Sequence, residues 1–504
     1  MPTHRTLAGI AGLCAIALAA TTAPTTAVAA PGEPDRPAQL LDSPGSARTV
    51  ETPGGERVRA VSLDAAALHD TVTGDRVDLS LFDDAAVTAL IDHHETVDGI
   101  ETWSGGIVGE DGSFSAVEVN GVHHLNIASV EHGTFEVAQD RSGDYVMTEA
   151  GMPPGGNDVI QSHADDDHAT GSRSGRRAAP GAMPQAQPRD AAGLVDVAIV
   201  YPASLVAQMG ADAMQAQFAQ GIAQTNEAFR NSGIPTQIRL VGTRQVSGTQ
   251  STDLETNLRA LGRPGDGVFD EAQALREETH ADLVSLWLSG SVPGGNSCGI
   301  AYLGGLDPQV QAERDAWSVV YAASCATQFR VFSHELGHNF SGNHNADATQ
   351  PPTGGKAYAR GYVDVAARTV TLMSYYNTCD RPADNDFCTR IGYYSSPDVV
   401  AAGRPQGTSA TNNVQAINEQ IDAVANYRQS QIHPGSVAIA GTPRFGATVT
   451  ATAADWAPAV SFGYQWIIDG VAVPGLTGQS IKLGSADIGK SLAVQVTGSA
   501  PYYT

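Results

Sequence analysis

Phe332-Ser-His334-Glu335-Leu-Gly-His338-Asn-Phe-Ser-Gly-Asn-His344 is the segment of this 504-residue chain whose residue types and spacing can do chemistry. His334 and His338, four residues apart, face the same side of a helix, so two imidazoles can hold one Zn²⁺ with Glu335 beside the metal. His344, six residues further on, can return as a third ligand once the helix has ended. Three protein ligands leave a coordination position open for water, which is the arrangement of catalytic rather than structural zinc. Zinc lowers the pKa of that water and polarises a carbonyl, and Glu335 is placed to take the proton and later give it to a leaving amine. The chemistry implied is hydrolysis of an amide bond. Ca²⁺ is a further cofactor that the sequence allows, but no motif supports it.

The elements that must hold this segment follow from the hydrophobic periods around it. A helical stretch beginning near Ala326 carries the two histidines. Upstream, Leu194-Val-Asp-Val-Ala-Ile-Val200 reads as a strand, followed by a helix over Asp212–Arg230, a strand at Gln237–Val241, a helical segment Asp266–His280 and a strand Ala281–Leu288. Alternation of this kind predicts an α/β (α+β) domain over 194–428, with a largely parallel sheet, helices packed on it and the histidine helix at its active site. Residues 58–149 show short alternating strands, with Asn120-Gly121 as a hairpin turn, and Phe82–His94 is expected to be a helix. Residues 161–193, rich in Pro, Gly and charge, read as a linker with a candidate processing point at Arg176-Arg177. After Pro434, alternation in Tyr464-Gln-Trp466-Ile-Ile468 and Leu492-Ala-Val494-Gln-Val496 predicts a small, strand-poor β-sandwich over 434–504, with Tyr464 and Trp466 in its core.

At the N-terminus His4-Arg5 precede an apolar run, Leu7–Ala20, and Ala27-Val28-Ala29 ends a stretch that a signal peptidase accepts. Residues 1–29 are therefore expected to be a secretory signal, too short to span a bilayer, and no later run is long and apolar enough either. Export would remove Cys14 and leave four cysteines in an oxidising compartment, so two disulfides are expected. Cys298–Cys325, tying a strand to the next element, and Cys379–Cys388, closing a short loop, are the favoured pairs. The formal net charge of −25 disfavours nucleic acid as a partner. More than half of that acidity precedes Leu194.

Thr371-Leu-Met373-Ser-Tyr375 places a methionine 29 residues beyond His344. With the three-histidine motif, this resembles the metzincin zinc proteases, whose Met-turn packs beneath the metal-binding imidazoles. His338-Asn339-Phe340, Ser395-Ser-Pro397 and a helix expected over Ala416–Tyr427 are similar to the bacterial reprolysin-like (adamalysin-related) peptidases. The likeness covers about 194–428, and more loosely residues 30–160 as a propeptide. Two positions depart from the pattern: Ser341 stands where the clan has Gly, so the helix is expected to run one residue longer, and Asn345 replaces the Asp that follows the third histidine. The resemblance implies a secreted zinc metalloendopeptidase made as a proenzyme, with His334, His338 and His344 on zinc, Glu335 as base and Met373 structural. Tyr375, two residues after the methionine, is instead similar to the tyrosine of serralysins and astacins that stabilises the oxyanion, with a core or pocket-wall aromatic as the competing expectation. Protein or peptide substrates would lie antiparallel to an edge strand, Gly299-Ile-Ala-Tyr-Leu303. Some bacterial relatives prefer Asp after the cut, and Arg390 is the candidate cation for it, with a surface role as the competing expectation. Residues 30–193 hold no cysteine, so a cysteine switch is absent.

The tail resembles immunoglobulin-like modules of bacterial surface and secreted proteins, for which docking to a surface or polymer, or plain spacing, are the open roles. The competing reading of the chain is an adhesion or binding protein with an inactive peptidase scaffold; a hydrolase of non-peptide amides is a third. His93-His94, His123-His124 and His132 lack ligand spacing on a common helix face and are expected in surface or turn roles, as are His163 and His168.

Overall fold

The structure, a computed structural model, describes residues 37–42, 48–52, 56–97, 99–151, 193–293, 297–306, 314–346, 355–376, 387–428, 435–454, 456 and 460–499. The expected signal, nearly all of the linker with Arg176-Arg177, and Cys379 lie outside them.

A five-stranded sheet positions the histidine segment. Its order is Gln237–Val246, Leu194–Pro202, Leu283–Leu288, Trp317–Tyr321 and Gly299–Ala301. The first four strands run parallel and the last is an antiparallel edge strand. Leu283–Leu288 and Trp317–Tyr321 are buried throughout because layers cover both faces, which is why they read as near-continuous apolar runs. The helix Ala211–Asn231 packs on this sheet, with Phe218 edge-on to Trp287 at 4.9 Å between ring centroids. The expected helix at 266–280 is Asp270–Thr279, and a further one, Leu254–Leu261, was not anticipated. Over 416–427 two short helices, Asn413–Asn418 and Ile421–Val424, replace the single one expected. A buried Cys298–Cys325 disulfide joins the start of the edge strand to the segment ahead of the histidine helix. Cys388 is also disulfide-bonded, and the Cys379 expected to pair with it lies outside the described residues.

Residues 38–149 form an eleven-stranded, mostly antiparallel sheet. Asn120 and Gly121 both take positive φ, 53° and 80°, as a two-residue hairpin turn requires. The helix expected at Phe82–His94 is not formed: Ala85–Val97 is a thirteen-residue strand between Arg76–Phe82 and Ile100–Ile107. Asp83-Asp84, which resembles an acidic first helical turn, is the hairpin turn itself. Pairing on both sides overrides the local helical composition.

Residues 436–499 form two three-stranded sheets around Val449, Ala451, Trp466, Ile481 and Leu483. Trp466 is fully buried and its Nε1 donates to the Gly478 carbonyl; Tyr464 is partly buried against the same core. No helix among the described residues is long and apolar enough to cross a membrane.

Candidate active site

The histidine helix is Val331–Asn339, buried along its whole length and preceded by a π-helical turn, Ala322–Ala326. It ends where a left-handed residue closes it. The Ser341 N–H bonds the His338 carbonyl, and the Gly342 N–H reaches back to the Gly337 carbonyl, the pairing of a Schellman cap. Ser341 itself has φ 70°. The expectation that the helix runs one residue longer because Gly is absent is therefore corrected: Ser341 adopts the conformation Gly would, and its hydroxyl donates to the Gly304 carbonyl. Asn339, on the last turn, donates from Nδ2 to the carbonyls of Tyr302, Asp315 and Trp317, tying the helix end to the edge-strand region.

The cap turns the chain so that His344 meets the other two histidines. The three Nε2 atoms form a triangle with sides of 3.0, 3.2 and 3.2 Å, and all three residues are buried. Ligands about 2.0 Å from a tetrahedral zinc stand about 3.3 Å apart, so the donor set fits that ion. His334 Nδ1 donates to the Leu372 carbonyl at 2.6 Å and His338 Nδ1 to the Gly342 carbonyl at 2.8 Å. These bonds fix the tautomers and leave both Nε2 lone pairs facing the centre. Burial, then the neighbouring imidazoles, and also the Arg390 charge hold His338 and His344 well below the ordinary imidazole value, and Arg360 adds to the effect on His344. Neutral imidazoles are what a cation needs.

Glu335, next to His334 on the helix, is fully buried, and its neighbour across the cleft is the edge strand. A Cβ on Gly299 would stand 2.6 Å from Glu335 Oε1, so only glycine lets that strand come so close. The strand Gly299–Ala301 lies within the segment expected to receive substrate and ends the sheet.

Beneath the histidines, Met373 is fully buried, and a Cβ on Gly337 would stand 2.4 Å from its sulfur. The Tyr375 ring lies 4.3 Å from that of His344. Asn345, where the resemblance led to the expectation of Asp, accepts from the Tyr375 N–H through Oδ1 and so anchors the turn. Arg390 is not a surface residue. It is 5% exposed, donates to the carbonyls of Phe329 and Ser374, and lies 4.0 Å over the Tyr376 ring. Sequence reasoning missed Arg360, the packing role of Gly299 and Gly337, and the anchoring by Asn345. Of these, the Gly337 inside a helical motif was the one visible signal.

A family model described as metallo-peptidase family M12 matches residues 192–387. A peptidyl-Asp metalloendopeptidase of Stenotrophomonas maltophilia is 29% identical over 226 residues, covering 44% of this chain and 50% of its own. A protein of the same name from Pseudomonas fragi is 31% identical over 118 residues, covering 23% of this chain and 74% of its own. The chain thus spans about half the length of the first of these relatives. Among solved structures, metalloproteinase-II from Bacteroides fragilis aligns at a TM-score of 0.34 and 10% identity, covering 70% of this chain and 94% of that one.

Proposed function

The chain belongs to metallopeptidase family M12, and from that premise we propose that it is a zinc-dependent endopeptidase that hydrolyses internal peptide bonds of proteins. The observation that carries the proposal is the buried Nε2 triangle of His334, His338 and His344, with Glu335 against the sheet's last strand, Gly299–Ala301, among the described residues. When bound there, zinc supplies a polarised carbonyl and an acidified water.

The rest of the chemistry belongs to the chain. Substrate adds to the edge strand Gly299–Ala301 as an antiparallel strand, and its main-chain hydrogen bonds place the scissile bond over the histidines. Glu335 takes a proton from the attacking water and delivers it to the departing amine nitrogen. Tyr375, whose ring lies against His344, stabilises the negative charge that develops on the carbonyl oxygen. Met373 packs under the imidazoles without taking part. The relatives' printed activity, together with the buried Arg390 cation behind the Met373 turn, supports a preference for an acidic side chain, Asp first, after the scissile bond. We read the N-terminal sheet as a propeptide, the chain as a secreted proenzyme, and the tail as an immunoglobulin-like module.

Two measurements test this. Glu335→Ala should retain bound zinc and lose proteolysis of an unstructured protein by a factor of about 10² to 10⁴; undiminished cleavage would remove Glu335 from the mechanism, and no proteolysis by the processed wild type would favour a scaffold. A peptide library that shows indifference to acidic residues at the first position after the cut would remove the proposed specificity.

A further inference from the structure

The N-terminal sheet brings together a second group of metal-ligating side chains far from the histidine triangle in sequence. His69 ends the short helix Ala65–His69, Glu118 lies on the strand Ser113–Val119, and His123 lies on Val122–Ser129. Their ligand atoms all fall within 4.8 Å of one another. His69 Nε2 is 2.8 Å, and His123 Nε2 3.3 Å, from the same oxygen, Glu118 Oε2.

These contacts do not have hydrogen-bond geometry. Glu118 Oε2 and His123 Nε2 are both buried and without a hydrogen-bond partner, although His123 is only 4% exposed. A buried polar atom left so is costly to the fold. Convergence of two nitrogens and an oxygen on a shared point, off the lines of mutual hydrogen bonds, is the geometry of ligands around an ion. The other nitrogen of His123 is hydrogen-bonded, and that of His69 faces a carboxylate. His69 Nδ1 lies 3.2 Å from Glu101 Oε2, and His123 Nδ1 lies 3.1 Å from the Tyr145 hydroxyl. Ligating histidines are oriented in this way by carboxylates and other polar groups. Glu101 is itself positioned by His94, whose Nε2 is 2.8 Å from Oε1 and whose ring stacks on Trp103. Glu118 adds a negatively charged oxygen donor to the two imidazoles, a mixed donor set that a divalent cation takes.

We infer that His69, Glu118 and His123 form a second divalent-metal site, on the N-terminal sheet, suited to zinc or a similar borderline transition ion. The side chain of His69 is 39% exposed, so the ion enters from solvent and a water completes its shell. Bound there, it clamps the helix Ala65–His69 to two central strands. Sequence spacing does not show the site, because its ligands come from a helix and two strands that only the fold places together; the expectation of a surface or turn role for His123 is corrected by its burial.

The test uses the full chain with Glu335→Ala, which keeps all three histidines of the triangle and prevents self-cleavage if the proposed function holds. Zn²⁺ alone is the probe, and bound metal is measured after dialysis. Adding His69→Ala, a change at a partly exposed position, should lower bound zinc by about one equivalent. Glu118→Gln, which keeps the shape of the side chain, should do the same. Circular dichroism verifies that each variant is folded. Equal zinc in a folded variant and its parent overturns the site and leaves a cluster of His–Glu ion pairs. Because the readout is a difference between proteins that share an intact triangle, it does not depend on whether the triangle itself holds zinc.

Discussion

Gly299 and Gly337 shape the candidate site as directly as the side chains they face. A methyl group on Gly299 would meet Glu335 Oε1 at 2.6 Å and Val331 Cγ1 at 2.8 Å, so Gly299→Ala must shift either the carboxylate or the edge strand. Cleavage of an unstructured protein should fall at least about tenfold while bound zinc stays at the wild-type level, since misplacement by about 1 Å can cost 10²-fold; a loss of zinc instead would place the damage at the histidines. Gly337→Ala reverses the usual helix rule. Ala is favoured over Gly inside a helix by about 1 kcal/mol, but here the new methyl would enter the sulfur of Met373 and approach Tyr394 at 3.0 Å. Overpacking should win, lowering stability by about 1–3 kcal/mol, as read from denaturant midpoints. His334 and His338 were legible from sequence because i, i+4 spacing places groups on one helix face whatever surrounds it, and Glu335 and His344 followed from their places in the same motif, His344 after the helix has ended. The burial of Arg390 was not, because it follows from two distant carbonyls and the Tyr376 ring. With those contacts, Arg390→Met should weaken the turn around Ser374 as well as any preference for Asp, so the ratio of cleavage rates for Asp and Asn peptides, rather than total activity, is the informative readout.

The helix Val331–Asn339 shows how an element keeps its function when a pattern residue changes. A non-glycine residue with φ near 70° costs about 1–2 kcal/mol, and the Ser341 hydroxyl offsets part of this by bonding the Gly304 carbonyl. Ser341→Ala should therefore lower stability by about 0.5–1.5 kcal/mol, whereas Ser341→Gly, which relieves the backbone while losing the bond, should be close to neutral; thermal unfolding of both variants distinguishes the two contributions. The strands Leu194–Pro202 and Leu283–Leu288 were legible because their apolar runs are nearly uninterrupted and buried, as was the long helix Ala211–Asn231, whereas the equally buried strand Trp317–Tyr321 was not identified. The strand Ala85–Val97 was not, since its Ala-Ala-Val-Thr-Ala-Leu-Ile run suits either period and is decided by strands pairing on both flanks. Length also misled at 416–427, where a single helical period conceals a break at Glu419-Gln420 between two short helices.

The N-terminal sheet docks on the same helix that covers the catalytic sheet, and its contacts reach the residues that launch the histidine helix. Ala219 and Ala223 pack on Val117, Gln220 donates to Ser115, and Arg330, paired with Glu227 at 3.0 Å, donates to Ser113. Glu136 lies at the centre of this contact. It accepts from Thr327, three residues ahead of Arg330, and lies 2.9 Å from His124 Nε2. Burial alone would raise its pKa, but the His124 charge and hydrogen bonds from His124, Thr327 and Gln217 hold it below the ordinary carboxylate value. A carboxyl whose folded pKa is depressed stabilises the docked state above its ordinary value of about 4.5 and loses that contribution as pH falls through the folded value. The docked sheet should therefore loosen below about pH 4.5, and the loosening should be felt at Thr327 and hence at the start of the histidine helix. Limited proteolysis of the full chain between pH 7 and pH 3, with an added protease that works in acid, should show the 38–149 region released as pH falls. In Glu136→Gln, which cannot ionise, this carboxyl's share of the pH dependence should vanish, with stability at neutral pH lowered by about 1.5–3 kcal/mol for the lost charged hydrogen bonds. An unchanged acid transition in that variant would assign the sensitivity to other carboxylates and leave Glu136 a purely structural contact.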